Sequence, residues 1–202
     1  MEQDAAPNLM VEPSTGAAFE RQPEIGGRRY QTIGVGVRKL FLAPLYSIGL
    51  AVERGQLAEL LERTRFLSEH AALDQRFFSA LVDLPVDKAA FLVFHHDFPR
   101  ERAQEAMAEG LRRSLGRRDE TRIARVLDLL KRDLQRGDRI HWRSSENRLL
   151  TFELDGVVDI NDRLLARGVW VPYLGPDPVS ASLKQRMARF LAAGGGLSQS
   201  AS

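Results

Sequence analysis

Cysteine is absent from the 202-residue chain. That excludes disulfides, thiolate metal sites and cysteine nucleophiles. No apolar run reaches the ~20 residues needed to cross a bilayer, so no membrane span is expected. The first eight residues contain Glu2 and Asp4 and lack the basic-then-apolar order of a secretory leader. The sequence as written is therefore expected in the cytoplasm. A large excess of either charge is missing too: 29 Lys and Arg stand against 27 Asp and Glu, for a net charge of +2. Arginines and acids are mixed along the helical stretches, the pattern of a solvated surface, so no nucleic-acid partner is expected. The tightest basic pairs, Arg28-Arg29, Arg112-Arg113 and Arg117-Arg118, are read as surface charge. There is no Gly-x-Ser-x-Gly nucleophile elbow. Gly34-Val-Gly36 lacks the third glycine and the βαβ unit of a dinucleotide loop. His95-His96-Asp97 has metal-ligand types, but adjacent strand residues point to opposite faces, so no metal and no cofactor are expected. Trp142 and Trp170 are read as packing or cleft walls.

What the chain does have is apolar mass. Hydrophobic residues make up 44% of it, enough for a core. The most concentrated stretch, Gly34 to Glu53, is almost wholly apolar and carries the guanidinium of Arg38 and the phenol of Tyr46. An unpaired charge in an interior costs several kcal/mol or more. Arg38 therefore needs either an internal carboxylate or an anionic ligand.

The spacing predicts a strand over Tyr30–Val37. Pro44, which cannot donate a ladder bond, marks a bulge, an edge or a join between strands. Leu57, Leu60, Leu61 and Phe66-Leu67 recur at helical spacing, followed by a second helical piece around Gln75–Leu81. Ala89–Phe94 reads as a buried strand. A helix is expected from Pro99 to about Leu115, and another, capped by Asp119, from Ile123 through about Gln135. Arg139–Arg143, Leu149–Leu154 and Val157–Ile160 read as a three-strand meander with turns at Glu146-Asn147 and Asp155-Gly156. Asn161 or Asp162 caps a helix through about Tyr173, and Ser180 caps the last one. Strands and helices are grouped rather than alternating. The expected class is α+β, an antiparallel sheet covered by helices on one face. Residues 1–10 are expected to be a flexible N-terminus, 11–193 one domain, and 194–202 a flexible Gly/Ser tail. Nothing in the sequence sets an oligomeric state.

Several segments together resemble the chalcone isomerase-like family. They are Val11-Glu-Pro-Ser-Thr-Gly16, Gly34-Val-Gly-Val-Arg38, Leu45-Tyr-Ser-Ile-Gly-Leu50, Gly137-Asp-Arg-Ile140 and Leu174-Gly-Pro-Asp-Pro-Val-Ser180 with Leu183-Lys-Gln185. They run in order over about residues 10–192. The resemblance implies an open-faced β-sandwich with a ligand cleft between sheet and helices. It also implies one of two activities: non-catalytic binding of a fatty acid, or an intramolecular lyase reaction that closes a chalcone to a flavanone. Residue by residue, Arg38 falls on the family's cleft arginine. Tyr46 falls where the isomerases carry threonine and the fatty-acid-binding members carry tyrosine. The isomerases also use a tyrosine and an asparagine in the helix after the central strand, and Phe98–Leu115 contains neither. Their hydroxyl residue near the final motif has no counterpart, Pro172 and Tyr173 lying close to its place.

Arg38 supplies a rigid fork of donors suited to a carboxylate or phenolate, and Tyr46 adds a neutral donor. Eight positions apart, the two share a face of a continuous strand unless Pro44 shifts the parity. The expected function is binding of a fatty acid or similar apolar carboxylate through Arg38 and Tyr46. The alternative is a lyase in which the same two residues are catalytic on a phenolic enone.

Overall fold

The computed structural model describes residues 8–40, 42–64, 75–115 and 119–193. β1 (Leu9–Val11) and β2 (Ala18–Glu20) form a short antiparallel ladder. β3 (Glu24–Ile25) opens a seven-stranded sheet whose spatial order follows the chain. Its members are β4 (Arg28–Leu40), β5 (Ala43–Glu53), β6 (Lys88–Phe94), β7 (Arg139–Ser145), β8 (Leu149–Glu153) and β9 (Val157–Asn161), all antiparallel. The helices are α1 (Arg54–Thr64), α2 (Gln75–Asp83), α3 (Arg100–Leu115), α4 (Glu120–Leu127), α5 (Arg163–Gly168), α6 (Val171–Leu174) and α7 (Ala181–Ala192). They supply the second layer of an open-faced α+β sandwich. The main core lies between that layer and the sheet. A small cluster of Tyr30, Ala51 and Ala89 packs on its own with Ile25 and Phe91.

The central hairpin decides the geometry. Residues Tyr30 to Val37 are buried without alternation. Gly34 and Gly36 share one face of β4, and α7 lies directly on them. A Cβ at Gly36 would sit 2.6 Å from Leu183 Cβ and 2.7 Å from its Cα. These glycines therefore mark close helix-on-strand contact. Gly36→Ala is expected to cost about 1–3 kcal/mol, the overpacking range, because the obstruction is backbone. Urea unfolding checks this, and a midpoint equal to wild type would contradict the contact.

The Val11–Gly16 segment is a tether. The Glu12 carboxylate, 0% exposed, accepts from Arg186 of α7 at 2.7 Å and from the Ser14 amide and hydroxyl. Thr15 Oγ1 also donates to Glu12, and lies 2.7 Å from Ser47 Oγ. Ser47 Oγ lies 2.7 Å from His95 Nε2. Burial raises the Glu12 carboxyl, but bonds from Ser14, Arg186 and Thr15 carry it below its ordinary value. His95 thus ends a part-buried polar chain on the sheet. Among the described residues no cluster of three His, Cys, Asp or Glu could hold a metal.

Some boundaries differ from the sequence reading. The helix expected through Gln135 stops at Leu127. Leu130 and Leu134 still reach the core, each 1% exposed, but Leu134 does so through a bridge to Phe98, with N–H···O distances of 2.7 and 2.9 Å. A long-range strand-like contact replaces two further helical turns. Asp119 makes no capping bond to the backbone and pairs with Arg122 instead. The helix expected through Tyr173 breaks into α5 and α6. The other caps are as read: Asp162 accepts from Leu164 and Leu165 amides, and Ser180 from Leu183. The Glu146-Asn147 turn has φ of 49° and 52°, the primed geometry of a tight hairpin. Phe66-Leu67, Arg117-Arg118 and the 194–202 tail lie outside the described residues.

Candidate functional site

Arg38 and Tyr46 meet, for a reason different from the one expected. The chain turns back after Leu40, which pairs with Ala43, and Arg38 and Tyr46 become direct cross-strand partners on β4 and β5. Directly opposed residues in an antiparallel pair point to the same side. Pro44 falls at the join. It pairs with Lys39, where the register shifts, and the β5–β6 ladder begins only at Tyr46. A residue without an N–H is tolerated there. Arg38 follows Gly34 and Gly36 at the two-residue strand period, so it lies on the face that α7 covers.

The two side chains border a hollow of about 160 Å³ between the sheet and the helices. Its floor includes Phe94, Ile140 and Trp142, and its roof includes Met107, Leu111 and Val126. Tyr46 and Phe94 pack with ring centroids 5.4 Å apart. Trp142 lines the hollow and packs on Phe152 at 4.6 Å. Trp170 is fully buried with its Nε1 donating to Ser144 Oγ at 2.7 Å, a packing role. The exposed members of the lining are Leu40, Ala106, Glu109 and Arg113, which place the mouth between the end of β4 and the middle of α3. Glu109 and Arg113 pair with each other at 3.2 Å across this rim.

Arg38 is half-buried and bonds a neutral acceptor: Nη1 donates to the Val179 carbonyl at 3.1 Å. It has no carboxylate partner among the described residues. Arg28 and Arg112, from the tight basic pairs, are matched by carboxylates. Arg28 meets Asp87 at 2.6 Å, and Arg112 meets both oxygens of Glu120 at 2.7 and 3.0 Å.

Tyr173 was not among the residues singled out for the site, yet α6 sets it beside Tyr46 on the same hollow. Burial pushes the Tyr46 phenol up, against the opposing pull of Tyr173 and Arg38. Burial and the neighbouring Tyr46 push the Tyr173 phenol well above its ordinary value. Both phenols are therefore neutral donors around neutral pH. The site joins one guanidinium, two hydroxyls and an apolar chamber, and its chemistry suits an anion with a hydrocarbon body.

A larger depression of about 750 Å³ is walled by Phe19, Pro23 and Ile25, with Arg139, His141 and Glu153 among its lining. Charges of both signs line it, His141 standing 3.4 Å from Glu153. The smaller hollow is the candidate because its lining is mostly apolar and Arg38 has no carboxylate partner among the described residues, the one acid of the lining, Glu109, pairing with Arg113 at the rim.

The architecture is the chalcone isomerase-like fold. The chain is similar to the crystal structure of a fatty-acid binding protein of Arabidopsis thaliana, with a TM-score of 0.77 and 18% identity over 93% of this chain and 98% of that one. No family model and no curated protein sequence matches the chain. The fold expected from the sequence segments is thus borne out by structure where sequence comparison finds no match.

Proposed function

We propose that the protein binds a fatty acid or similar apolar carboxylate without converting it, the carboxylate seated on Arg38 and Tyr46 and the chain running into the hollow. The observation that carries this reading is the guanidinium at the mouth of an apolar chamber, bonded to a carbonyl and to no carboxylate among the described residues. Each buried methylene contributes about 0.8 kcal/mol, so the chain supplies most of the affinity and Arg38 the orientation. The Tyr46 phenol, backed by Tyr173, gives the head group a neutral donor. The similar Arabidopsis protein is named as a fatty-acid binding protein, which supports the reading.

The hollow is smaller than the ~300–1,000 Å³ of typical ligand clefts. It is expected to prefer short and medium acyl chains, longer ones requiring α3 to move outward. The test is to extract the purified protein and identify bound acids by mass spectrometry, then to titrate the emptied protein with acids of increasing length. Affinity that climbs with length and then levels off supports the proposal. No bound acid and no titratable binding would end it. The alternative lyase reading is checked by following chalcone absorbance with the protein added; turnover abolished by Arg38→Ala would displace the binding reading.

A further inference from the structure

The β4–β5 hairpin ends in an apolar tip whose presence the core does not explain. Leu42 is 92% exposed and Leu40 47% exposed, and the adjoining Lys39 and Ala43 are exposed too. Leu40 pairs with Ala43 where β4 hands over to β5. Leu42 packs in neither core cluster, so its side chain stands available to an apolar partner. Two further observations indicate what that is. First, the sequence carries no acidic residue between Glu24 and Glu53, while Arg38 and Lys39 stand just behind the tip. The neighbouring β5–β6 end, where the His95 amide donates to the Leu45 carbonyl at 3.0 Å, adds exposed His96 and Arg136. Asp97, exposed in the same loop, accepts from the Arg136 amide at 2.9 Å and keeps its negative charge, so the net positive charge behind the tip is that of Arg38 and Lys39. Second, Leu40 also lines the mouth of the hollow, so whatever the tip touches adjoins the ligand opening.

An apolar point backed by cations matches the surface of an anionic bilayer, where hydrocarbon lies beneath negative head groups. We propose that the protein seats this hairpin tip on an anionic lipid surface, with Leu42 and Leu40 entering the head-group layer and Lys39 contacting lipid phosphates. The mouth of the hollow then faces the membrane from which an apolar acid would come or to which it would go. This deepens the binding reading above, but its test does not depend on it.

The test is sedimentation of the full chain with vesicles of roughly equal parts phosphatidylcholine and phosphatidylglycerol. Wild type is expected to sediment with them at low salt. Leu42→Asp should lower partitioning about tenfold or more, since it removes the inserted side chain and adds a repelled charge. Lys39→Glu should lower it several-fold on these vesicles and leave binding to pure phosphatidylcholine unchanged. Val157→Asp, at a residue 65% exposed on the far-edge strand β9, should match wild type. Leu42 stands free of the core, so its variant should melt as wild type does and bind dissolved fatty acid equally well. Absence of wild-type vesicle binding, or equal binding by Leu42→Asp, overturns the proposal. So does a dimer in analytical ultracentrifugation that Leu42→Asp abolishes without any vesicle binding, because the tip would then join two copies. Tip-dependent vesicle binding by a protein that takes up no fatty acid would sustain this inference and remove the proposed ligand.

Discussion

Arg38→Ala is expected to weaken binding of a fatty acid about ten- to a hundredfold, the worth of one charge-assisted hydrogen bond in a dry site. Binding of the methyl ester of the same acid should change by less than about twofold, because an ester carries no charge for the guanidinium to meet. Calorimetric titration of both ligands measures this. Equal losses for acid and ester would mean that Arg38 does not meet the carboxylate. Because Arg38 also holds the Val179 carbonyl at 3.1 Å, the alanine variant loosens the start of α7 as well. Arg38→Lys separates the two effects. It keeps the charge and loses the fork, so it should recover part of the acid affinity. Tyr46→Phe should cost less, since Tyr173 still offers a phenol to the same head group.

The nearness of Arg38 and Tyr46, on which the candidate site rests, was legible in the sequence. A lone arginine within a long apolar stretch has few physical outcomes, and the structure leaves it facing a hollow. Its pairing with Tyr46 was correctly expected by face, but the cause is a hairpin and not a continuous strand. The ambiguity lay at Pro44, where a bulge and a join leave the same mark in sequence. Tyr173 was harder to find. It sits on the single-turn helix α6, too short to carry a periodicity, and its place beside Tyr46 depends on how that helix packs. Leu130 and Leu134 continue the stripe of α4 by spacing, but hydrogen bonds to a segment thirty-odd residues earlier take precedence, and no local window contains that partner. Gly34 and Gly36 were visible as part of a family-like segment and as the wrong half of a nucleotide loop, but not as a packing contact. Their use, the close approach of α7, involves residues about 150 positions away. The size of the hollow belongs to the distance between two layers, which no single stretch encodes.

The second large effect concerns pH. Lys88, on the central strand β6, is fully buried. Its Nζ donates to Asn147 Oδ1 at 3.0 Å and reaches the Leu84 carbonyl at 3.5 Å, and the Trp170 ring lies 6.0 Å away. Burial drives its pKa down to about 7, against the opposing pull of Asp87 and Asp83. The Asp87 carboxylate is engaged elsewhere, by Arg28 at 2.6 Å and by Ser145, and leaves the ammonium poorly compensated. In the unfolded chain the same lysine titrates near 10.4. Between these values the unfolded state holds the extra proton, so stability rises with pH, by at most about 1.4 kcal/mol per unit. Lys184, also lowered by burial, adds to the rise at the upper end. His95 is lowered from 6.5 and acts below this window. Tyr30, Tyr46 and Tyr173 are raised from 10 and reverse the slope above it. Urea unfolding from pH 7.5 to 9.5 should therefore show stability climbing with pH. Lys88→Met keeps the aliphatic stem and removes the titration, and should flatten most of that climb while leaving the Asn147 amide bonds to the Val82, Asp83 and Leu84 carbonyls in place. An unchanged slope in the variant would show that Lys88 stays protonated in the folded protein, its charge met by Asn147 and the carbonyl end of α2.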